Sequence, residues 1–157
     1  MNLNGKIKLF ATDCDGVLTD GGMYYFDNGI VGKKFHCHDG SAFQILKENK
    51  IKIAIISGES SNSLKNRNNK LACDYLIMNS KNKLLDLKKI CIENKISLSS
   101  VLYVGDDLND GDVMKNVGFS CCPNDAVEYI KKNANYVCNK NGGCGVIREI
   151  VDNFFVN

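Results

Sequence analysis

Short apolar runs alternate with segments of helical character along most of this chain, and this alternation constrains the fold most strongly. The apolar runs are continuous rather than alternating, and they lie at 7–12, 52–56, 75–78, 101–104, 118–122 and 136–138. Such runs are typical of buried strands in a parallel sheet that helices cover on both faces. The sequence therefore predicts an α/β fold with a Rossmann-like, doubly wound parallel sheet. Helices are expected at about 41–50, 60–70, 81–94, 108–116, 125–133 and 146–155, with Asp39 or Ser41 capping the first.

Segment 21–36 departs from this pattern. Three aromatic residues at 24–26 precede the turn signal Asp-Asn-Gly at 27–29, and 30–36 can return as a second strand. We expect an inserted β-hairpin flap whose aromatic residues pack against another subunit rather than against substrate. The chain contains no insertion long enough for a large cap domain. Its 157 residues predict one domain, 1–157, with a C-terminal tail from about 140 to 157.

Composition excludes several classes of protein. The net charge is only +2 and the lysines are scattered, so neither nucleic acid nor a charged membrane surface is a predicted partner. The apolar runs are too short to span a membrane, and 1–10 has no signal-peptide pattern. The eight cysteines show no Cys-x-x-Cys spacing. They are interpreted as reduced core residues of a cytoplasmic protein.

Aspartates follow two of the predicted strands. Asp13 and Asp15 end the first run, and Asp106 and Asp107 follow the run at 101–104. Because the carboxyl ends of parallel strands meet at one edge, these carboxylates are expected to converge and to repel one another. A hard divalent cation relieves this repulsion, and ligands that are all oxygen favour Mg²⁺. Asp110 is interpreted as a charge at a helix N-terminus rather than as a ligand.

Carboxylates beside a metal suit phosphoryl transfer. Asp13 can attack phosphorus, and Asp15 can protonate the leaving oxygen and later activate water. The Ser57 hydroxyl and the Gly58 amide, at the end of the second strand, can donate hydrogen bonds to phosphate.

A cation opposite the metal is also required, and Lys83, at the start of a predicted helix, is favoured over Lys81.

His36 and His38 lie on one face of the hairpin strand, but two ligands are too few for a structural metal site.

These residues resemble, in order, the four motifs of the haloacid dehalogenase superfamily, which read Asp13-x-Asp15-Gly-Val-Leu-Thr-Asp, Ser57-Gly58, Lys83 and Gly105-Asp106-Asp107-x-x-Asp110. The resemblance implies that Asp13 is the nucleophile and Asp15 the acid/base. It implies Mg²⁺ held by the carboxylates of Asp13 and Asp106 and by the backbone carbonyl of Asp15, with Asp107 supporting that shell. Ser57, Gly58 and Lys83 would bind phosphate.

A narrower resemblance involves the hairpin and the tail. Residues 19–22, 34–35, 39–40 and 142–149 resemble the capless branch that contains 3-deoxy-D-manno-octulosonate 8-phosphate phosphatases and 2-keto-3-deoxynononate 9-phosphate phosphatases. The branch implies a homotetramer in which a neighbour's hairpin and tail cover the site. Arg148, in the tail, would either meet a substrate carboxylate or begin the last helix.

Three residues favour the nine-carbon, sialic-acid-like substrate. The nononate branch resembles this chain in having glutamate after the motif glycine, here Glu59, followed by basic residues matched by Arg67 and Lys70. The alternatives are the eight-carbon 3-deoxy-D-manno-octulosonate 8-phosphate, or a non-catalytic module like the C-terminal domain of some acylneuraminate cytidylyltransferases. The presence of Asp13 and Asp15 argues against the non-catalytic module.

Overall fold

The computed structural model describes residues 2–156, which form a six-stranded parallel sheet with helices on both faces. The strands of this sheet are β1 (Leu9–Thr12), β4 (Lys52–Ile56), β5 (Tyr75–Ile77), β6 (Val101–Val104), β7 (Phe119–Cys122) and β8 (Tyr136–Val137). They lie in the order β5-β4-β1-β6-β7-β8, and every pairing is parallel. The predicted doubly wound α/β fold is confirmed.

The helices are α1 (Cys37–Glu48), α2 (Asn62–Leu71), α3 (Lys83–Asn94), α4 (Gly111–Asn116), α5 (Glu128–Asn133) and α6 (Val146–Phe154). Two short 3₁₀ turns, Leu98–Ser100 and Leu108–Asp110, flank β6. Side-chain caps define where α2 and α3 begin, because Ser61 accepts from the amide of Leu64 and Asn82 from the amide of Leu85.

The core has two layers, one on each face of the sheet. Apolar residues of α1, α2 and α6, such as Phe43, Leu64 and Ile150, pack on one face. Residues of α3, α4 and α5, such as Leu87 and Ile130, pack on the other. Burial of both sheet faces explains why the strand sequences are continuously apolar.

The hairpin consists of β2 (Tyr24–Tyr25) and β3 (Val31–Gly32), paired antiparallel and separate from the main sheet. It is the only insertion between β1 and α1 in the described part of the chain, which contains no cap domain. Its side chains are largely exposed, and Tyr25 retains 75% of its accessible surface.

The prediction that Asp39 or Ser41 caps the first helix is wrong. Helix α1 begins at Cys37, and the His36 ring accepts a hydrogen bond from the amide of His38. Asp39 is buried in the first turn instead, where its Oδ1 atom accepts from the backbone N–H of Arg148. Its carboxylate therefore joins α1 to α6 and is not available to cap its own helix.

No helix among residues 2–156 is both long enough and apolar enough to cross a membrane. All eight cysteines are free thiols.

Candidate active site

Asp13 lies at the carboxyl end of β1, in the middle of the sheet. Its backbone N–H donates to the carbonyl of Val104 on the neighbouring strand. Its Oδ1 atom accepts from the amide of Cys14 at 2.7 Å, and its Oδ2 atom lies 2.9 Å from Lys83 Nζ. Burial, followed by repulsion from Asp110, raises the pKa of Asp13 to about 6. These contacts fix the carboxylate in one orientation at the centre of the edge.

Lys83 is the first residue of α3, and its side chain is only 3% exposed. Its Nζ atom also lies 2.8 Å from Asp110 Oδ1 and 3.3 Å from Asn109 Oδ1. Burial alone would lower the pKa of Lys83, but the carboxylates of Asp13 and Asp110 outweigh burial and raise it. The lysine therefore stays charged between two aspartates.

Asp110 is more than a charge at a helix start. The residue is fully buried, and the Tyr103 hydroxyl donates to its Oδ1 atom at 2.6 Å. Its Oδ2 atom accepts from the backbone amides of Asp106 and Asp107 at 3.1 and 3.3 Å. Asp110 thus holds the loop after β6 in place while it neutralises Lys83.

Asp106 carries the oxygen that fits a metal best. Its Oδ1 atom is buried and has no hydrogen-bond partner among residues 2–156. Burial, followed by repulsion from Asp13 and Asp110, raises its pKa to about 8. Asp13, Asp106 and Asp110 each offer an oxygen within 4.8 Å of the others. Asp110 is fully buried and does not line the cavity, whereas Asp13 and Asp106 do, so Asp13 and Asp106 are the better ligands.

This oxygen-only donor set fits Mg²⁺, as the sequence predicted. The loop after β1 lies very close to this donor set, as the surroundings of Gly16 show. A Cβ atom at Gly16 would lie 2.0 Å from Asp106 Oδ2, and the residue has a φ of +85°. Glycine is therefore required here both for its backbone conformation and for space.

Asp15 lines the same cavity but does not belong to the cluster of Asp13, Asp106 and Asp110. Both of its carboxylate oxygens lie 2.7 Å from Lys33 Nζ, and Thr19 Oγ1 approaches Oδ1 at 3.4 Å. Lys33 also lies 3.3 Å from Glu59 Oε2. Sequence reasoning missed Lys33, because a lysine on a hairpin has no spacing that marks it as a partner of Asp15.

Ser57 and Gly58 follow β4 and line the same cavity as Asp13. Ser57 is 1% exposed, and its Oγ atom accepts from the amide of Glu59 at 3.1 Å.

The Oδ1 atom of Asp107 accepts a hydrogen bond from the amide of Leu108, and Asp107 so caps the turn at Leu108–Asp110. Its carboxylate therefore supports the loop.

Most of the predicted site residues meet in one cavity of about 170 Å³. Its lining includes Asp13, Asp15, Ser57, Gly58, Glu59, Lys83, Asp106 and Asp107. Arg67 and Lys70 instead line a second cavity of about 240 Å³, beyond Lys33. The Arg67 Nη2 atom donates to the carbonyl of His36 at 2.8 Å, and its guanidinium lies 5.7 Å from the centre of the Phe35 ring.

Another cavity, of about 580 Å³, is lined by His36, His38 and residues at the start of α6, and by none of the residues predicted to bind metal or phosphate. Arg148 lines it, and its Nε atom pairs with both carboxylate oxygens of Asp152 at 2.8 Å. Arg148 therefore lies outside the 170 Å³ cavity within one chain.

Comparison with known proteins identifies the family. The model of the haloacid dehalogenase-like hydrolases matches residues 76–150. The chain is 36% identical over 147 residues to 3-deoxy-D-manno-octulosonate 8-phosphate phosphatase of Escherichia coli K12, covering 94% of this chain and 78% of that protein. The enzyme of the same name from Yersinia pestis is 34% identical, and the match covers 94% of this chain and 79% of that protein.

Solved structures agree with this relationship. The crystal structure of the Yersinia pestis phosphatase matches with a TM-score of 0.92 at 34% identity, covering 95% of this chain and 80% of that one. The Moraxella catarrhalis phosphatase, crystallised with a magnesium ion, a phosphate ion and a KDO molecule, matches with a TM-score of 0.90 at 36% identity. That match covers 92% of this chain and 83% of the other. The chain therefore belongs to the haloacid dehalogenase-like hydrolases, and it is a phosphatase of that family.

Proposed function

We propose that this phosphatase hydrolyses 3-deoxy-D-manno-octulosonate 8-phosphate with Mg²⁺ as cofactor, Asp13 as nucleophile and Asp15 as acid/base. One observation carries the chemistry. The buried ammonium of Lys83 lies between Asp13 and Asp110, next to a buried Asp106 oxygen without a hydrogen-bond partner. This arrangement supports the proposal, because phosphoryl transfer uses a nucleophile, a fixed cation and a metal ligand close together.

The reaction has two steps. An oxygen of Asp13 attacks phosphorus, the bond from phosphorus to the sugar oxygen breaks, and the leaving oxygen takes the proton of Asp15. Water then attacks phosphorus, gives its proton to the Asp15 carboxylate and releases phosphate, while the electron pair of the broken bond returns to Asp13.

Fixed charges surround the transferred group. Lys83 neutralises charge next to Asp13, and the Ser57 hydroxyl and the Gly58 amide would donate to the phosphoryl oxygens. Asp13 and Asp106 would hold Mg²⁺, together with the backbone carbonyl of Asp15. When bound, the cation would neutralise charge on the phosphoryl oxygens.

The eight-carbon substrate is favoured over the nine-carbon acid expected from Glu59. The Escherichia coli and Yersinia pestis relatives, which align over 94% of the chain, are named as octulosonate phosphatases, and this supports the eight-carbon alternative. Glu59 already has an internal partner, the ammonium of Lys33. Arg67 and Lys70 line a different cavity from Asp13 within one chain. Both observations weaken the reason for assigning these three residues to a longer sugar.

The non-catalytic alternative receives no support, because relatives that match most of this chain are named as enzymes.

A homotetramer, with a neighbour's hairpin and tail over the site, remains part of the proposal. The exposed aromatic residues of the hairpin support an assembly that buries them, since contiguous exposed apolar surface marks interaction sites. Light scattering of the purified protein tests the tetramer. A cytoplasmic location remains a prediction from the cysteines.

The substrate is tested by phosphate release, with Mg²⁺, from the eight- and nine-carbon 2-keto-3-deoxy acid phosphates and from common hexose phosphates. The expected result is the highest kcat/KM for 3-deoxy-D-manno-octulosonate 8-phosphate. A clear preference for the nine-carbon acid would instead return Glu59 to the role of a specificity residue. Preference for a hexose phosphate would remove the sugar-acid assignment altogether. The Asp13→Asn variant, purified in the same way, serves as the blank, because the activity of any contaminating phosphatase would persist in that preparation.

A further inference from the structure

Lys33 has no part in the reaction as described above, yet its ammonium is among the most enclosed cations in the described residues. It directly follows β3, on a hairpin whose other side chains are largely exposed. Its own side chain is only 1% exposed. A lysine is rarely buried unless its charge is paired. Here the partners are Asp15 and Glu59, both of which line the cavity that contains Asp13.

The backbone on both sides of Lys33 is anchored to the body of the protein. Before it, the carbonyl of Val31 accepts from Ser63 Oγ on α2 at 3.1 Å. After it, Phe35 forms an isolated antiparallel bridge with Thr19. The fold therefore holds the backbone that carries Lys33, although the tip of the hairpin is exposed to solvent.

The contact with Asp15 fixes rotation as well as position. Lys33 Nζ lies 2.7 Å from both Oδ1 and Oδ2, so a turn of the carboxylate about its terminal bond would lengthen one contact. The other side-chain contacts of Asp15 in residues 2–156 are weak, with Thr19 Oγ1 at 3.4 Å and Cys14 Sγ at 3.8 Å. Without Lys33, a side chain that is 30% exposed would have no strong partner.

We propose that Lys33 is a positioning residue that holds the Asp15 carboxylate in the orientation needed to take a proton from water. Its effect falls on the second step, in which water forms a bond to phosphorus and the bond from phosphorus to Asp13 breaks. That step requires Asp15 as a carboxylate, the form to which a neighbouring ammonium donates hydrogen bonds. The hairpin thus acts on the reaction through one side chain. This inference rests on the roles proposed for Asp13 and Asp15.

The matched pair for the test is Lys33→Met and Lys34→Met. Lys34 is the next residue, but its side chain is 59% exposed and its Nζ atom lies 3.6 Å from Asp20. The substrates are 3-deoxy-D-manno-octulosonate 8-phosphate and p-nitrophenyl phosphate, and kinetics use whichever the wild-type protein hydrolyses faster. Protein-bound phosphoryl groups are counted by intact mass spectrometry after acid quenching.

For Lys33→Met we expect kcat to fall at least tenfold, a part of the hundredfold or more that general acid–base catalysis supplies. We expect kcat/KM, which reports the first step, to stay within about threefold, so that KM falls with kcat. The phosphorylated fraction of the protein should rise, and Lys33→Arg should recover part of kcat. Lys34→Met should match the wild type. A merely structural role would instead lower kcat and kcat/KM in parallel without phosphoenzyme accumulation, and that result would overturn the proposal.

Asp15→Asn separates this inference from the proposed function. If Asp15→Asn keeps full turnover, the acid/base role of Asp15 fails, and the role of Lys33 fails with it. If Asp15→Asn is inactive while Lys33→Met equals the wild type, only the Lys33 inference is overturned. Lys33→Gln is measured in parallel, because it keeps a hydrogen-bond donor if the methionine variant does not fold.

Discussion

Lys83 Nζ lies 2.9 Å from Asp13 Oδ2, and the two side chains are only 3% and 9% exposed. An ion pair so well shielded from water interacts more strongly than a surface pair, but removing one partner leaves a buried charge. The same lysine also contacts Asp110 at 2.8 Å. The free energy of folding and the proposed phosphoryl transfer therefore depend on a single ammonium group.

Replacement of Lys83 by methionine is expected to lower kcat/KM at least a hundredfold, because a fixed charge next to the transferred group is lost. It should also lower the free energy of unfolding by about 3 kcal/mol or more, since Asp13 and Asp110 would face each other unneutralised. Steady-state kinetics and urea denaturation measure the two effects. Lys81→Met is the control, because Lys81 is exposed. Activity within tenfold of the wild type would remove Lys83 from the site.

Magnesium should raise the melting temperature of this protein, because Asp13 and Asp106 repel each other without it. A cation at a hundred times its dissociation constant stabilises by about 2.7 kcal/mol, which is roughly 5–10 °C for a domain of this size. Asp106→Asn should abolish the shift, whereas Asp112→Asn, at an exposed position of α4, should keep it. EDTA should reverse the shift in the wild type. An equal shift in Asp106→Asn would place the cation elsewhere.

Gly16→Ala is expected to reduce activity at least a hundredfold, because its Cβ atom would lie 2.0 Å from Asp106 Oδ2. Gly5→Ala is the matched control. Gly5 has a similar positive φ of +78°, but a Cβ atom there would meet nothing within 4 Å. Both variants carry the same backbone strain of about 1 kcal/mol, and only Gly16→Ala disturbs a site carboxylate. Equal losses of kcat/KM would show that strain, rather than the Asp106 contact, matters.

The buried carboxyl of Asp39, which lies outside the active site, should make the stability of the protein depend on pH. Burial raises the pKa of its carboxyl from 3.8 to about 6, although the backbone N–H of Arg148 donates to it. Between these values the native state keeps the proton that the unfolded chain has released, so stability falls as pH rises and the cost is complete above about pH 6. A shift of this size corresponds to about 3 kcal/mol at most.

Asp39→Asn removes this titration with little change in shape. The difference in the free energy of unfolding, variant minus wild type, should therefore increase by about 2 kcal/mol between about pH 4 and about pH 7, because only the wild type loses stability. Urea denaturation at both pH values, with Mg²⁺ present, measures the difference. A difference that does not change with pH would contradict the shifted pKa.

The sequence predicts correctly which residues converge wherever they follow strand ends. Asp13, Ser57 and Asp106 follow neighbouring strands, and parallel topology alone brings them to one edge. Lys83 was predictable because a helix N-terminus after β5 returns to the same edge.

Contacts made by long side chains could not be predicted in this way. The contact between Lys33 and Asp15 joins residues 18 positions apart through a hairpin whose orientation no local pattern specifies. Arg67 faces Phe35 rather than the 170 Å³ cavity because the packing of α2 against the hairpin sets its direction. The place of Asp110 in the sequence predicts a charge at a helix N-terminus, whereas its burial beside Tyr103 depends on tertiary packing.

The proposed mechanism requires that Asp13 carry the phosphoryl group during turnover. The most direct measurement is mass spectrometry of the acid-quenched protein, taken during turnover of its best substrate with Mg²⁺ and followed by peptide mapping. If Asp13 is the nucleophile, one phosphoryl group should be found on the peptide that contains Asp13, absent in Asp13→Asn and lost on treatment with hydroxylamine. A phosphoryl group on any other residue, or continued turnover by Asp13→Asn, would contradict it.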